Sequence, residues 1–234
     1  MTRFNTTQWS LVLGAKGEGG DARAALEALC RTYRPPVLAF VRNSGYPHDA
    51  AEDLTQSFFT RFLEREYFAE ADPARGRFRA YLMTAVRHFL INAASEARAV
   101  KRGGRMRFES MDDAGEHLSQ VDGDTPERAF EQAWALVVLD SAMRRLRKEA
   151  QHAGKESLFD QLRGFLSEQP SDDDYARVAT LLNLRRNTVA VSVHRLRHRL
   201  RELVREEVAQ TAADHDAFDT ELRELRGALG AAAQ

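Results

Sequence analysis

Residues 171–205 read SDDDYARVATLLNLRRNTVAVSVHRLRHRLRELVR, and this stretch decides the fold of the second half of the chain. Ser171 is a good helix cap, and the three aspartates after it suit the positive end of a helix dipole. We expect this helix to stop near Asn183, because asparagine tolerates a positive φ at a turn. A second helix is predicted from about Arg186 to beyond Glu206, since its apolar residues share one stripe: Val189, Val193, Leu196, Leu200 and Leu203. The pattern indicates a helix-turn-helix.

The face opposite that stripe is polar and basic, as in a helix that enters the major groove of DNA. The first turn of such a helix contacts base edges, and basic residues further along contact phosphates. Val191 also points away from the apolar stripe, where it can contact a thymine methyl. The alternative is an ordinary amphipathic helix with a solvated arginine face, but a helix and turn precede it and Glu202 is its single acidic break up to Arg205. The candidate DNA contacts are Arg186, Asn187, Thr188, Val191, Ser192, Arg195 and Arg199.

Helical spacing recurs through the rest of the chain, whereas strand signals are nearly absent. We interpret Pro35 and Pro36 as a fresh helix start, because a proline in the first turn loses no needed hydrogen bond. The tail from Thr211 to Gln234 fits either a short docking helix or a partly disordered segment. The other predicted helices cover about residues 21–33, 47–66, 78–100, 127–150 and 155–168.

A change of composition at Gly103-Gly104 divides the chain. A basic block ends there and acidic residues follow, with few large apolar ones, as in a flexible linker. The fold class is therefore all-α, with two small helical domains joined by an acidic linker. The predicted parts are an N-terminal extension 1–20, a first domain 21–102, the linker 103–124, a second domain 125–206 and a C-terminal extension 207–234.

Composition excludes several classes of protein. The formal net charge is −1, so any nucleic-acid surface must come from an uneven distribution of charge. Cys30 is the single cysteine, which excludes an internal disulfide and favours the reducing cytoplasm. No run approaches the ~20 apolar residues that span a bilayer, and the N-terminus lacks a signal-peptide pattern. We expect a cytoplasmic protein without a membrane partner.

No catalytic constellation emerges from the sequence. The glycine-rich stretch 14–20 lacks the Walker spacing and its Lys-Ser/Thr pair. His194 and His198 have a spacing able to hold zinc, but they stand among arginines that would repel a cation. We therefore predict no enzyme activity, no metal site and no cofactor.

Three stretches resemble the extracytoplasmic-function (ECF) subfamily of sigma-70 RNA polymerase sigma factors. Residues 187–201, NTVAVSVHRLRHRLR, resemble the region 4 recognition helix, with the Thr-Val near its start and the basic tail as matching features. Residues 49–63, DAAEDLTQSFFTRFL, resemble region 2.2, and residues 76–92, GRFRAYLMTAVRHFLIN, resemble regions 2.3 and 2.4. The resemblance implies binding to the β′ and β subunits of core RNA polymerase and to promoter DNA. The first domain would then read the −10 element and the second the −35 element.

The resemblance also assigns residues in the first domain. It implies that the polymerase contacts are Asp53, Gln56, Ser57 and Thr60. It implies that the −10 element is contacted by Arg77, Arg79, Tyr81, Arg87, His88 and Asn92. Ser57 stands where these sigma factors commonly carry an acidic residue, which makes the docking face less negative. Family members often have Asn and Asp at the positions of His88 and Asn92, so the preferred bases are expected to differ.

Because Ser57 stands in place of an acidic residue, we hypothesise that Ser57 or Thr60 is phosphorylated. A phosphate would add about −1.5 to −2 charges. Its alternative is that both residues are unmodified polar surface. Candidate further partners are accordingly a Ser/Thr kinase and an anti-sigma factor. The rival function for the whole chain is a stand-alone helix-turn-helix regulator, which would leave the first domain's basic and aromatic helix unexplained.

Overall fold

The computed structural model describes residues 20–65, 67, 71, 77–101, 125–209 and 215–232. These residues form helices and connecting turns without a strand, which confirms the predicted all-α class. The helices are α1 (Gly20–Asn43), α2 (His48–Glu64), α3 (Phe78–Lys101), α4 (Pro126–His152), α5 (Glu156–Leu162), a 3₁₀ helix (Arg163–Leu166), α6 (Asp172–Leu181), α7 (Arg186–Ala209) and α8 (His215–Ala232). None of these helices is long and apolar enough to cross a membrane.

The chain packs as two compact units. The first contains Met1–Val137 and Gln210–Gln234, and the second contains Val138–Ala209. The division falls inside α4, and α8 belongs to the first unit. The predicted linker at 103–124 lies outside the described residues. The predicted functional domains and their boundaries stay a prediction, since compactness alone does not define them.

The structure corrects the predicted helix start at Pro35. Residues 20–43 form one continuous helix with Pro35 and Pro36 inside it. Each proline lacks a backbone N–H, so two intrahelical hydrogen bonds are absent. Burial of one unbroken face outweighs that loss: Leu29, Tyr33, Val37, Phe40 and Val41 are all at most 1% exposed.

The core of the first unit continues into α2 and α3. Phe58 and Phe62 of α2 and Leu82 and Leu90 of α3 are at most 3% exposed. The rings of Tyr33 and Phe78 meet edge to face with centroids 5.2 Å apart, a favourable aromatic geometry. The polar face of α2 and the first turn of α3 are thereby fixed on a rigid scaffold.

In the second unit α6 and α7 form where the sequence predicted them. The hydroxyl of Ser171 accepts from the amide of Asp174, and the Asp174 side chain accepts from the amide of Ser171, which completes a capping box. Asn183 has φ 52° and closes the turn. The core between the two helices contains Leu162, Val178, Ala179, Val189 and Val193. This packing turns the opposite face of α7 outward.

Candidate nucleic-acid and polymerase interfaces

The four predicted polymerase contacts lie together on the outer face of α2. Asp53, Gln56, Ser57 and Thr60 are all exposed, whereas Thr55, Phe58 and Phe59 are buried. The Thr60 hydroxyl donates to the Gln56 carbonyl at 3.1 Å, an i−4 bond that leaves the oxygen at the surface. Within the described residues the Asp53 carboxylate has no ion-pair partner. This face is therefore open to a partner with basic groups.

Arg79, predicted to contact DNA, lies in the core of the first unit. Its side chain is 2% exposed, and its Nη1 donates to Oε2 of Glu221 at 2.6 Å. The Nε lies 3.2 Å from Oε1 of Glu131, and Nη2 contacts Glu224. The guanidinium carbon is 4.1 Å from the ring centre of Trp134, a cation–π geometry. In this arrangement DNA has no access to the Arg79 guanidinium.

Burial perturbs the acids around Arg79. Desolvation raises the pKa of Glu131, and the positive charge of Arg79 opposes that rise. Burial likewise raises the pKa of the Tyr33 hydroxyl, with Arg79 again the main opposing charge. Arg79 thus offsets part of the cost of placing carboxylates in this core.

The other two arginine candidates of the first unit, Arg77 just before α3 and Arg87 within it, are half-buried and paired. Arg77 contacts Glu224, and its Nε lies 3.8 Å from Oε1 of Glu221, with 32% of the side chain exposed. Arg87 pairs with Glu127, and both side chains are about two-fifths exposed. These arginines differ from Arg79 because their side chains are partly exposed to solvent.

The remaining α3 candidates are also partly exposed. The Tyr81 hydroxyl donates to the carbonyl of Tyr67 at 2.6 Å. His88 and Asn92 are half-buried and lie one turn apart, as their i, i+4 spacing predicts. Like Arg87, both are partly exposed, so these side chains, unlike that of Arg79, are accessible to a ligand.

The candidate contacts on α7 form one outward face. Arg186, Asn187, Thr188 and Arg195 are exposed, and Val191 is 42% exposed. The half-buried Ser192 donates its hydroxyl to the Thr188 carbonyl at 2.8 Å. The structure therefore exposes the predicted first-turn residues, whereas Val189 and Val193 are buried.

Three arginines of that face differ in their ionic partners. Arg186 pairs with Asp172, which raises the pKa of the Arg186 guanidinium through the hydrogen bond they share. Arg199 pairs with Glu149, Glu202 and Glu206, at 2.8–3.1 Å. Arg195 has no ion-pair partner within the described part of the chain. Of the three, Arg195 is the most available to an anion.

Several structural partners were not predicted from the sequence. Glu131, Trp134 and Glu221 surround Arg79 from segments up to 142 positions away in the chain. The i, i+4 spacing of Glu221 and Leu225 was a usable signal for Glu221, because it places an acidic residue on the apolar face of the C-terminal helix. Arg197 was also missed: its guanidinium donates to the Phe165 carbonyl at 2.6 Å and the Glu168 carbonyl at 2.7 Å. Arg197 therefore anchors the 3₁₀ segment to α7.

No cluster of three or more His, Cys, Asp or Glu side chains able to hold a metal ion occurs among the described residues. The His194 and His198 rings are exposed, and His198 lies 3.4 Å from Glu202.

Comparison with known proteins gives one family match, within the first unit. No curated protein and no solved structure matches the chain. Residues 29–100 match the family model of sigma-70 region 2. They span most of α1, all of α2 and all but the last residue of α3. The match covers the exposed α2 face and the α3 candidates together. Residues 29–100 are thus similar to sigma-70 region 2, and this similarity supports a sigma-70 family sigma factor.

Proposed function

We propose that the chain is an ECF sigma factor that binds core RNA polymerase and directs it to promoter DNA in the cytoplasm. The observation that carries this proposal is the region 2 match over a helix whose polymerase-contact positions are exposed. The outward basic face of α7 adds a second DNA-binding element in the other unit. A regulator that uses α7 alone is not favoured, because it would give region 2 no role.

The two units divide promoter recognition in this proposal. In the first unit the −10 element meets Arg77, Tyr81, Arg87, His88 and Asn92, whose side chains are all partly exposed. In the second unit the −35 element meets the first turns of α7, where Asn187 and Thr188 reach base edges and Arg195 reaches a base or phosphate. Arg79 supports the first unit from inside and Arg199 is held by carboxylates, so neither is a primary contact.

Run-off transcription with core polymerase, followed by mapping of start sites, tests this function. A sigma factor requires polymerase for specific opening of DNA. A stand-alone regulator would instead bind duplex operator without polymerase, usually as a dimer on two half-sites. Binding of duplex alone with no transcription at any start site would refute the proposal.

Asp53→Ala is expected to weaken binding to core polymerase. The exposed Asp53 carboxylate, which forms no ion pair with any described residue, is available to a basic group on the partner. Such a pair is worth up to about 1 kcal/mol, or roughly fivefold in affinity. Fluorescence anisotropy of the labelled chain against core polymerase measures the change. Asp49→Ala is the matched control, because Asp49 is a fully exposed acid in the first turn of the same helix. Equal losses in the two variants would contradict a specific contact at Asp53.

We further propose that phosphorylation of Ser57 or Thr60 by a Ser/Thr kinase strengthens this contact. Both hydroxyls are exposed one turn from Asp53 or Gln56, and a phosphate there supplies the negative charge that Ser57 lacks. Ser57→Glu or Thr60→Glu is expected to raise polymerase affinity by about two- to fivefold. The uncharged variants Ser57→Gln and Thr60→Gln separate charge from size. No gain from either glutamate would remove the hypothesis.

A further inference from the structure

The C-terminal helix α8 places carboxylates on the cations at the start of α3. Helix α8 contains four acidic residues and two arginines, so it is net negative. Glu221 and Leu225 are 0% and 2% exposed, which identifies the inward face of the helix. Glu221 and Glu224 on that face contact Arg77 and Arg79. All of these residues belong to the first unit.

The contact has a buried part and a surface part. Arg79 and Glu221 are at most 2% exposed and form the buried part. Arg77 and Glu224 form the surface part, with side chains 32% and 39% exposed. Water and solutes can therefore compete for the surface pair while the buried pair stays formed.

A carboxylate and a DNA phosphate use the same donors on an arginine. The guanidinium N–H groups bind either anion through charge-assisted hydrogen bonds. While Glu224 occupies Nη1 of Arg77 and Glu221 lies near its Nε, a phosphate meets a cation that is already neutralised. The net negative charge of α8 also repels a nucleic-acid strand approaching this end of α3.

We propose that α8 is an intramolecular competitor of nucleic acid, in which Glu224 must leave Arg77 before that arginine can bind a DNA phosphate. The proposal rests on the function proposed above, in which α3 meets promoter DNA. The buried Arg79–Glu221 pair keeps α8 in place, and the Arg77–Glu224 pair sets the affinity of the first unit for the DNA strand.

The test is binding of the full chain to a short labelled single-stranded oligothymidine, measured by fluorescence anisotropy. Glu224→Gln removes the nearer of the two carboxylates at Arg77 without altering side-chain size. It is expected to raise affinity by about two- to fivefold, the range of a partly exposed ion pair. Asp219→Asn removes one charge from the exposed side of α8 and is expected to leave affinity nearly unchanged. In an Arg77→Ala background the gain from Glu224→Gln should vanish.

Three results would overturn the proposal: no gain in Glu224→Gln, an equal gain in Asp219→Asn, or a gain that persists without Arg77. The free energy of unfolding, measured for each variant, shows whether α8 only stabilises the fold. If Glu224→Gln lowers the free energy of unfolding but leaves the affinity for oligothymidine unchanged, α8 only stabilises the fold. Run-off transcription by the unmodified chain with core polymerase is a separate readout, so failure of the sigma function and failure of the competitor are distinguishable.

Discussion

Replacing Arg79 with methionine is expected to lower the free energy of unfolding of the first unit by about 3–5 kcal/mol. Methionine retains much of the side-chain volume next to Trp134 but removes the charge. Glu221, which is 0% exposed, and the largely buried Glu131 would then keep their charges without Arg79. Breaking a buried ion pair is costly because the remaining charge is poorly solvated and has lost a charged partner.

Denaturant unfolding followed by fluorescence of Trp134 measures the effect in the unit concerned. A Trp9→Phe background leaves Trp134 as the single tryptophan. Arg31→Met is the control, since Arg31 pairs with Glu27 while both side chains are more than 70% exposed, and such a pair contributes about 0.3–0.5 kcal/mol. Adding Glu221→Gln to Arg79→Met should recover part of the loss, because it removes a buried charge that has lost its contact with Arg79. Additive losses in the double variant would contradict the buried pair.

The loss caused by Arg79→Met should shrink as the pH falls. Desolvation already raises the folded-state pKa of Glu131 above its unfolded value, and removing Arg79 takes away the largest opposing influence. A carboxyl with a raised folded pKa contributes stability below its unfolded pKa and loses that contribution as the pH rises through its folded pKa. The difference between variant and unmodified chain should therefore be smaller near about pH 5 than near about pH 7. A difference that grows on acidification would argue against an uncompensated carboxylate.

Local signals in the sequence were sufficient for several elements and insufficient for others. The Ser171 cap and the positive φ of Asn183 depend on residues within a turn of each other, and the structure confirms both. The break predicted at Pro35 is wrong, because burial of residues on both sides of the prolines decides the outcome, and burial is a tertiary property.

The candidate site shows the same division between local and distant causes. Periodicity identified the outward faces of α2 and α7, since each face depends on one helix. The role of Arg79 depends on Glu131 and Glu221, which reach it from two other helices. A basic residue near an aromatic one suggests DNA contact from sequence, whereas the partners that bury it are distant in the chain.

Arg195→Ala is expected to weaken recognition of the −35 element by about 1–3 kcal/mol, or roughly 5- to 150-fold. Arg195 is exposed on the face of α7 that carries Asn187, Thr188 and Val191, and no carboxylate in the described residues pairs with it. Its guanidinium can bind DNA without first giving up a partner. Arg186 must leave Asp172, so Arg186→Ala should cost less at the same promoter.

The measurement is binding of the complex with core polymerase to duplex promoter fragments with an intact or scrambled −35 element, at several salt concentrations. A base contact predicts that Arg195→Ala loses affinity for the intact element and narrows the preference between the two fragments. A phosphate contact predicts equal losses on both fragments and a shallower dependence on salt. Arg205→Ala is the control, because Arg205 is also exposed but lies more than two turns further along α7. Two results would contradict the assignment of α7 to promoter DNA. In the first, Arg195→Ala and Arg205→Ala have the same small effect on promoter binding. In the second, Arg195→Ala weakens binding to core polymerase, measured in the absence of DNA, as much as it weakens promoter binding.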